Sequence, residues 1–160
     1  MSQDVITTYD VTTRRLEAQQ VAAVRRHTSM ATIGEDVARG FAQIVAAIEC
    51  VGARPAGPPF MVFHGRIDDE FGGEIELCHP VAAPFTSIDD VYGTKIHGSQ
   101  VASTIHRGSY DEVGPAYAAI LTWMDEHDCE PAGPPREYYL NDPEITKTED
   151  LLTEITFPIA

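Results

Sequence analysis

A chain of 160 residues is long enough for one domain with a full core and too short for two ordinary ones. Its 43% apolar and 22% charged residues are those of a globular protein, and its longest apolar runs cannot span a bilayer, so no membrane partner is expected. A formal net charge of −14 would repel a polyphosphate, which argues against direct nucleic-acid binding and favours cationic ligands.

The opening residues, Met1-Ser2-Gln3-Asp4, lack a basic and then apolar signal region, so a cytoplasmic location is expected. Val11 to Arg26 reads as extended, with a break or bulge at Gln19-Gln20. A helix is predicted over residues 33–51. Thr32 and Glu35 have capping-box spacing at its start, and Gly52 suits the position after its end. The run Pro55-Ala56-Gly57-Pro58-Pro59 is a turn into a strand over residues 60–65. Asp68–Gly73 is a hairpin loop, and Glu74–Val81 alternates as a strand around Ile75 and Leu77. Residues 82–98 read as a connector. A strand follows at residues 99–106, and Ser109 with Glu112 form a second capping box opening a helix over 110–127. A strand at Arg136–Asn141 is stopped by Asn141-Asp142-Pro143. The last strand, residues 151–158, puts Thr153, Ile155 and Phe157 on one face.

The second series of elements repeats the first. Pro131-Ala132-Gly133-Pro134-Pro135 restates residues 55–59 at an offset of 76. At that offset Val37, Phe41, Ile44, Val45 and Ile48 meet Val113, Tyr117, Ile120, Leu121 and Met124, one helix face in each case. Glu76-Leu77 and Pro80-Val81 correspond to Glu154-Ile155 and Pro158-Ile159, and Gln20-Val21-Ala22 to Gln100-Val101-Ala102. The expected architecture is a single α+β domain over residues 1–160. It consists of two pseudo-symmetric strand–helix–strand–strand units, about residues 9–81 and 97–160, forming an antiparallel sheet with helices on one face. A central ligand groove is expected between the units, on the face without helices.

Glu137 stands out because its counterpart in the first copy is Met61, so a pseudo-symmetric groove would carry an acid opposite a thioether. Glu137 and Tyr139 share a strand face, and Tyr139 is matched by Phe63. Aromatic planes, a methionine and one acid suit a flat hydrophobic cation. A solvated glutamate beside a core tyrosine is the competing reading. Tyr110 could reach the groove as a hydrogen-bond or proton donor, or pack in the first helical turn. Trp123, the only tryptophan, is a pocket wall or a helix–sheet boundary residue. The histidines show no metal-ligand spacing, no phosphate-binding glycine loop occurs, and no cofactor is expected. The three cysteines, Cys50, Cys78 and Cys129, are odd in number, contain no CxxC pair, and read as small buried hydrophobes.

The run His106, Gly108, Tyr110, Gly133-Pro134-Pro135, Glu137, Tyr139-Leu140, Asp142-Pro143, Glu154-Ile155 and Pro158-Ile159 resembles the GyrI-like small-molecule-binding domain, also called the AraC-type effector-binding domain, with a SOUL-like fold. Gly57-Pro58-Pro59, Glu76 and Pro80-Val81 match the same pattern in the first copy, and the resemblance runs from about Tyr9 to Ile159. It implies binding of small amphipathic organic molecules, often cationic and aromatic, in a central groove, with a glutamate at the Glu137 position meeting the ligand. The ligand-binding set is then Glu137, Tyr139, Phe63, Met61, Tyr110 and Trp123. Stand-alone relatives imply two alternatives. One is a hydrolase of electrophilic toxins, with Glu137 as general base and Tyr110 or Tyr139 as hydrogen-bond donor. The other is a protein-interaction module acting on DNA gyrase. A protein partner or a homodimer stays open.

Overall fold

A computed structural model describes residues 9–68 and 70–160; Met1-Ser2-Gln3-Asp4 and Asp69 of the 68–73 loop lie outside the described residues. In chain order the elements are β1 (Thr12–Leu16), β2 (Gln19–Thr28), α1 (Ile33–Val51), β3 (Phe60–Phe63), β4 (Gly73–Pro80), β5 (Tyr92–Ile96), β6 (Ser99–Arg107), α2 (Gly114–Glu126), β7 (Arg136–Tyr139) and β8 (Leu152–Pro158). The strands form one antiparallel eight-stranded sheet in the order β1-β6-β8-β7-β3-β4-β2-β5. The α+β architecture expected from the repeat is therefore present, as one continuous sheet with two helices.

The register locates the pseudo-twofold axis. A rotation relating residue n to n+76 must cross the sheet where a residue pairs with its own counterpart, and Met61 pairs with Glu137. On either side, Phe63 N–H donates to Pro135 C=O at 3.1 Å and Tyr139 N–H to Pro59 C=O at 3.0 Å. The two proline-rich turns are equally matched. Ala56 N–H bonds Pro80 C=O at 2.9 Å, and Ala132 N–H bonds Pro158 C=O at 2.8 Å. Gly57 and Gly133 sit over Pro80 and Pro158, where an added Cβ would come within 3.6 and 3.5 Å.

The halves also exchange their first strands. β1 precedes β2 in the chain but pairs with β6, while β5 precedes β6 but pairs with β2. β5 lies inside the segment read from sequence as a connector. It is an edge strand whose Tyr-Gly-Thr-Lys-Ile sequence has no apolar alternation, and Gly93 lets Phe85 C=O approach where a Cβ would clash at 2.0 Å. The break in the first extended segment falls at Glu17-Ala18, so Gln19 and Gln20 belong to β2. The two β-strand connectors pass each other there: a Cβ on Gly98 would meet Leu16 C=O at 2.4 Å.

The helices depart from their sequence readings at the start. Thr32 caps α1 without a side-chain bond to the backbone; its hydroxyl and that of Thr28 instead donate to Asp36, at 3.0 and 2.7 Å. Ser109 does accept from Asp111 N–H, but the turn it opens, Tyr110–Glu112, is 3₁₀, and α2 begins only at Gly114. Pro115 is the cause. A helix beginning at residue 110 would place its ring against the carbonyl four residues back, whereas the first turn tolerates it.

Each helix covers two outer strands, α1 over β2 and β4, α2 over β6 and β8. Ile44 and Ile48 of α1 pack on Val24, Ile75 and Leu77. Gly40 is needed because any Cβ there would meet the Leu77 side chain at 2.3 Å. Ala116, Ile120 and Met124 of α2 pack on Ile155 and Phe157 of β8. The opposite face of the sheet holds a further core built from six strands, including Leu16, Val21, Phe60, Val62, Cys78, Val101 and Tyr138. A face with no helix can bury these residues only if the sheet curls around them, as a half-barrel. The groove expected on that face is therefore filled. It opens instead on the helix-bearing face, because α1 and α2 cover the outer strands and leave the central pair, β3 and β7, bare between them.

Candidate functional site

The groove encloses ≈ 2180 Å³. Its floor is the pairing of β3 with β7. Across the sheet one row of side chains runs Thr104, Ile155, Glu137, Met61, Leu77, Val24, set by successive registers. Helices cover the outer members, and Glu137 and Met61, at the axis, face the groove. Phe63 and Tyr139 lie one pleat further along on the same face. Val37 and Phe41 of α1 form one wall, and Tyr117 of α2 with Tyr110 of the 3₁₀ turn form the other.

Glu137 is only 6% exposed. Its Oε2 accepts from Tyr117 Oη–H at 2.5 Å and its Oε1 from Tyr139 Oη–H at 3.1 Å. Burial pushes its pKa up; the two phenol donors pull it back, and the imidazole of His106, on β6, acts in the same direction. Both phenols hold their protons far more tightly than free tyrosine, through burial first and then the nearby carboxylate. They are donors at any ordinary pH, not acids. Neither hydrogen bond to Glu137 comes from a cationic side chain.

The aromatic rings interlock around this cluster. Tyr139 meets Phe41 edge-on at 6.0 Å and Tyr110 at 5.4 Å. Tyr117 meets Phe63 edge-on at 6.5 Å and Phe157 at 5.8 Å. Tyr110 lies between Glu137 and the rim residue Asp142; burial raises its pKa, and the two carboxylates add to the rise, Asp142 more than Glu137. His106 itself lies on the groove-side face of β6, fixed with Nδ1 against Tyr9 Oη and Nε2 against Ser109 C=O, both at 3.0 Å.

Five of the six residues singled out from sequence, Glu137, Tyr139, Phe63, Met61 and Tyr110, line this groove. Trp123 does not. It stacks on His127 at 4.1 Å, on a flank of α2 that it shares with Tyr9 and Val11, because its helical position points away from β7. Two groove residues escaped the sequence reading, Tyr117 and Phe41. In the sequence both align as members of the apolar helix stripe. The signal for a site role was the tyrosine itself, a hydroxyl standing where the other copy has phenylalanine.

A second buried acid lies on the opposite face. Glu76 accepts from Tyr92 Oη–H at 2.5 Å and contacts His64 Nε2 at 2.7 Å. Its counterpart Glu154 accepts from two guanidinium nitrogens of Arg14, Nη2 at 2.7 Å and Nε at 3.1 Å. These pairs tie β-strands of the curled sheet together. Among the described residues no group of three or more His, Cys, Asp or Glu gathers as metal ligands, and no helix is long and apolar enough to cross a membrane.

The model of the GyrI-like small molecule binding domain matches residues 9–160. The chain belongs to that family. Among solved structures, the C-terminal domain of EcmrR superposes with a TM-score of 0.85 at 19% identity, over 96% of this chain and 99% of that one. In the EcmrR–DNA complex the matched chain is longer, and the likeness, at a TM-score of 0.84 and 19% identity, covers 94% of this chain but 57% of that one. The GyrI-like chain is thus similar to one part of EcmrR, a protein solved in complex with DNA. SAV2435, solved with tetraphenylphosphonium bound, matches at a TM-score of 0.58 and 13% identity, over 96% and 94% of the two chains. A hydrolase encoded by lin2189 of Listeria innocua matches at 0.69 and 12%, over 94% and 91%. At these identities the likeness is one of fold. No curated protein sequence matches the chain.

Proposed function

We propose that this GyrI-like domain binds hydrophobic organic cations in the groove, with the positive centre against the Glu137 carboxylate and the apolar substituents on Phe41, Phe63, Tyr110 and Tyr139. The observation that carries the reading is a single buried carboxylate at the centre of an aromatic-lined floor, hydrogen-bonded only by neutral donors. An ionised acid in that setting has no cation in direct contact; an incoming cation supplies that contact, and the ring faces add cation–π attraction. The net charge of −14 adds a long-range field of the same sign. A groove of ≈ 2180 Å³ exceeds the roughly 300–1,000 Å³ of a site shaped to one drug-sized ligand, so several cations of different shape should be accepted. Free thiols at Cys50, Cys78 and Cys129 suit a reducing cytoplasm.

The test is a titration with tetraphenylphosphonium and tetraphenylborate, ions of the same shape and opposite charge. The phosphonium should bind in the groove and the borate should bind much more weakly. Equal or tighter binding of the borate overturns the reading.

A hydrolase reading has one observation in its favour. Glu137, with its raised pKa, lies close to Tyr110, whose phenol could donate to a leaving oxyanion. Consumption of an electrophilic groove ligand by the wild-type protein, lost in Glu137→Gln, would favour it over simple binding.

A further inference from the structure

Three of the repeat pairs lining the groove differ by one polar group each. Phe41, Met61 and Phe63 in the first half face Tyr117, Glu137 and Tyr139 in the second. The added polar atoms do not scatter: both phenols donate to the one carboxylate, one to each oxygen. The first half shows that the same positions pack with phenylalanine, so the two hydroxyls are not needed to fill space. Resting on the reading that Glu137 receives a cation, we propose that Tyr117 and Tyr139 are the specificity-determining residues of the groove: their two donated hydrogen bonds keep Glu137 anionic and commit the site to cations, and without them the same cavity takes neutral aromatic ligands.

The physical basis is that a hydrogen bond donated to the charged form of an acid favours that form, whereas burial favours the neutral one. At Glu137 these influences are opposed, burial against the Tyr117 and Tyr139 donors. The other titratable groups facing it are His106 of β6, which supports the anion, and Tyr110 of the 3₁₀ turn; β3, β8 and α1 present Met61, Ile155 and Phe41. The hydroxyls of Tyr117 and Tyr139 thus hold much of the balance. A carboxylate that has lost them keeps its proton to higher pH. It then no longer attracts a cation and no longer repels an uncharged ring system through the cost of desolvating the anion.

The test measures tetraphenylphosphonium and neutral triphenylphosphine oxide binding by the wild type, Tyr117→Phe, Tyr117→Phe/Tyr139→Phe and Glu137→Gln across pH 5–9. Phosphonium affinity should rise with pH as Glu137 ionises. The midpoint should move up by about one pH unit or more in the single variant and further in the double, as expected for losing hydrogen bonds to a charged group. At pH 7 the ratio of phosphonium to oxide affinity should fall at least about tenfold in the double variant, approaching that of Glu137→Gln. An infrared difference spectrum should show the protonated-carboxyl stretch of Glu137 persisting to higher pH in the double variant than in the wild type. A double variant that keeps the wild-type midpoint and selectivity, while Glu137→Gln loses phosphonium affinity, overturns this proposal and leaves the binding reading standing. If Glu137→Gln leaves phosphonium binding unchanged, the binding reading itself fails, and this proposal with it.

Discussion

The two halves of this GyrI-like domain share backbone, register and turn chemistry, yet they present opposite surfaces to the groove between them. The first half offers Phe41, Met61 and Phe63; the second offers Tyr117, Glu137 and Tyr139 at the same places. The scaffold tolerates either set, because the positions line the open groove between the helices and not the cores beneath them. Function is therefore written in the differences between the copies, and stability in their agreement.

Moving the acid to the wrong half should break this most severely. In Met61→Glu the new carboxyl faces Glu137 across the axis, with phenylalanine on both sides and no donor. It should cost about 3 kcal/mol or more, with one acid forced to stay protonated. Adding Phe41→Tyr and Phe63→Tyr should return part of that loss. Urea denaturation measures both, and a harmless Met61→Glu would show that the donors around Glu137 are dispensable.

Glu137→Gln should lower tetraphenylphosphonium affinity by about 1.5–3 kcal/mol, roughly 10- to 100-fold, for the loss of a charge-assisted contact. Isothermal titration calorimetry reads this directly. The other acid–phenol cluster gives the contrast. Tyr92→Phe removes a donor from Glu76, which keeps His64. A stability loss of about 1 kcal/mol with unchanged ligand affinity is expected. A change in affinity there would mean that the two faces of the sheet are coupled.

The smallest effect is on stability against pH. The pKa of Glu137 is raised by burial, so the folded state holds its proton more tightly than the unfolded chain does. Its contribution to stability is full below the ordinary carboxylate value of 4.5 and is lost as pH rises through the raised folded value. Glu137→Gln should therefore gain on the wild type as pH rises from the ordinary carboxylate value through the raised one, read as a widening difference in Tm. Parallel melting curves across that range would contradict it.

The repeat made the centre of the molecule legible in the sequence. An offset of 76 placed Glu137 opposite Met61 before any register was known, and strand alternation placed Tyr139 beside it. Three features escaped for separate reasons. The exchange of β1 and β5 between halves is a choice of partner, which periodicity does not encode. The side on which the groove opens depends on the sheet curling around a second core, and Phe60, Val62 and Tyr138 alternate as any two-sided strands would. Tyr117 was hidden by its own hydrophobicity, since a tyrosine in an apolar stripe reads as packing until its hydroxyl is seen to meet an acid. Trp123 misled for the opposite reason: it is large, aromatic and unique, but it lies on the wrong flank of α2.

The most direct measurement is a crystal structure of the protein with tetraphenylphosphonium. The expected result is density in the groove with the phosphonium centre over the Glu137 carboxylate and phenyl rings against Phe41, Phe63 and Tyr139. Density confined to the Tyr9–Trp123 flank of α2, or a groove left empty at saturating ligand, would contradict the assignment of this site.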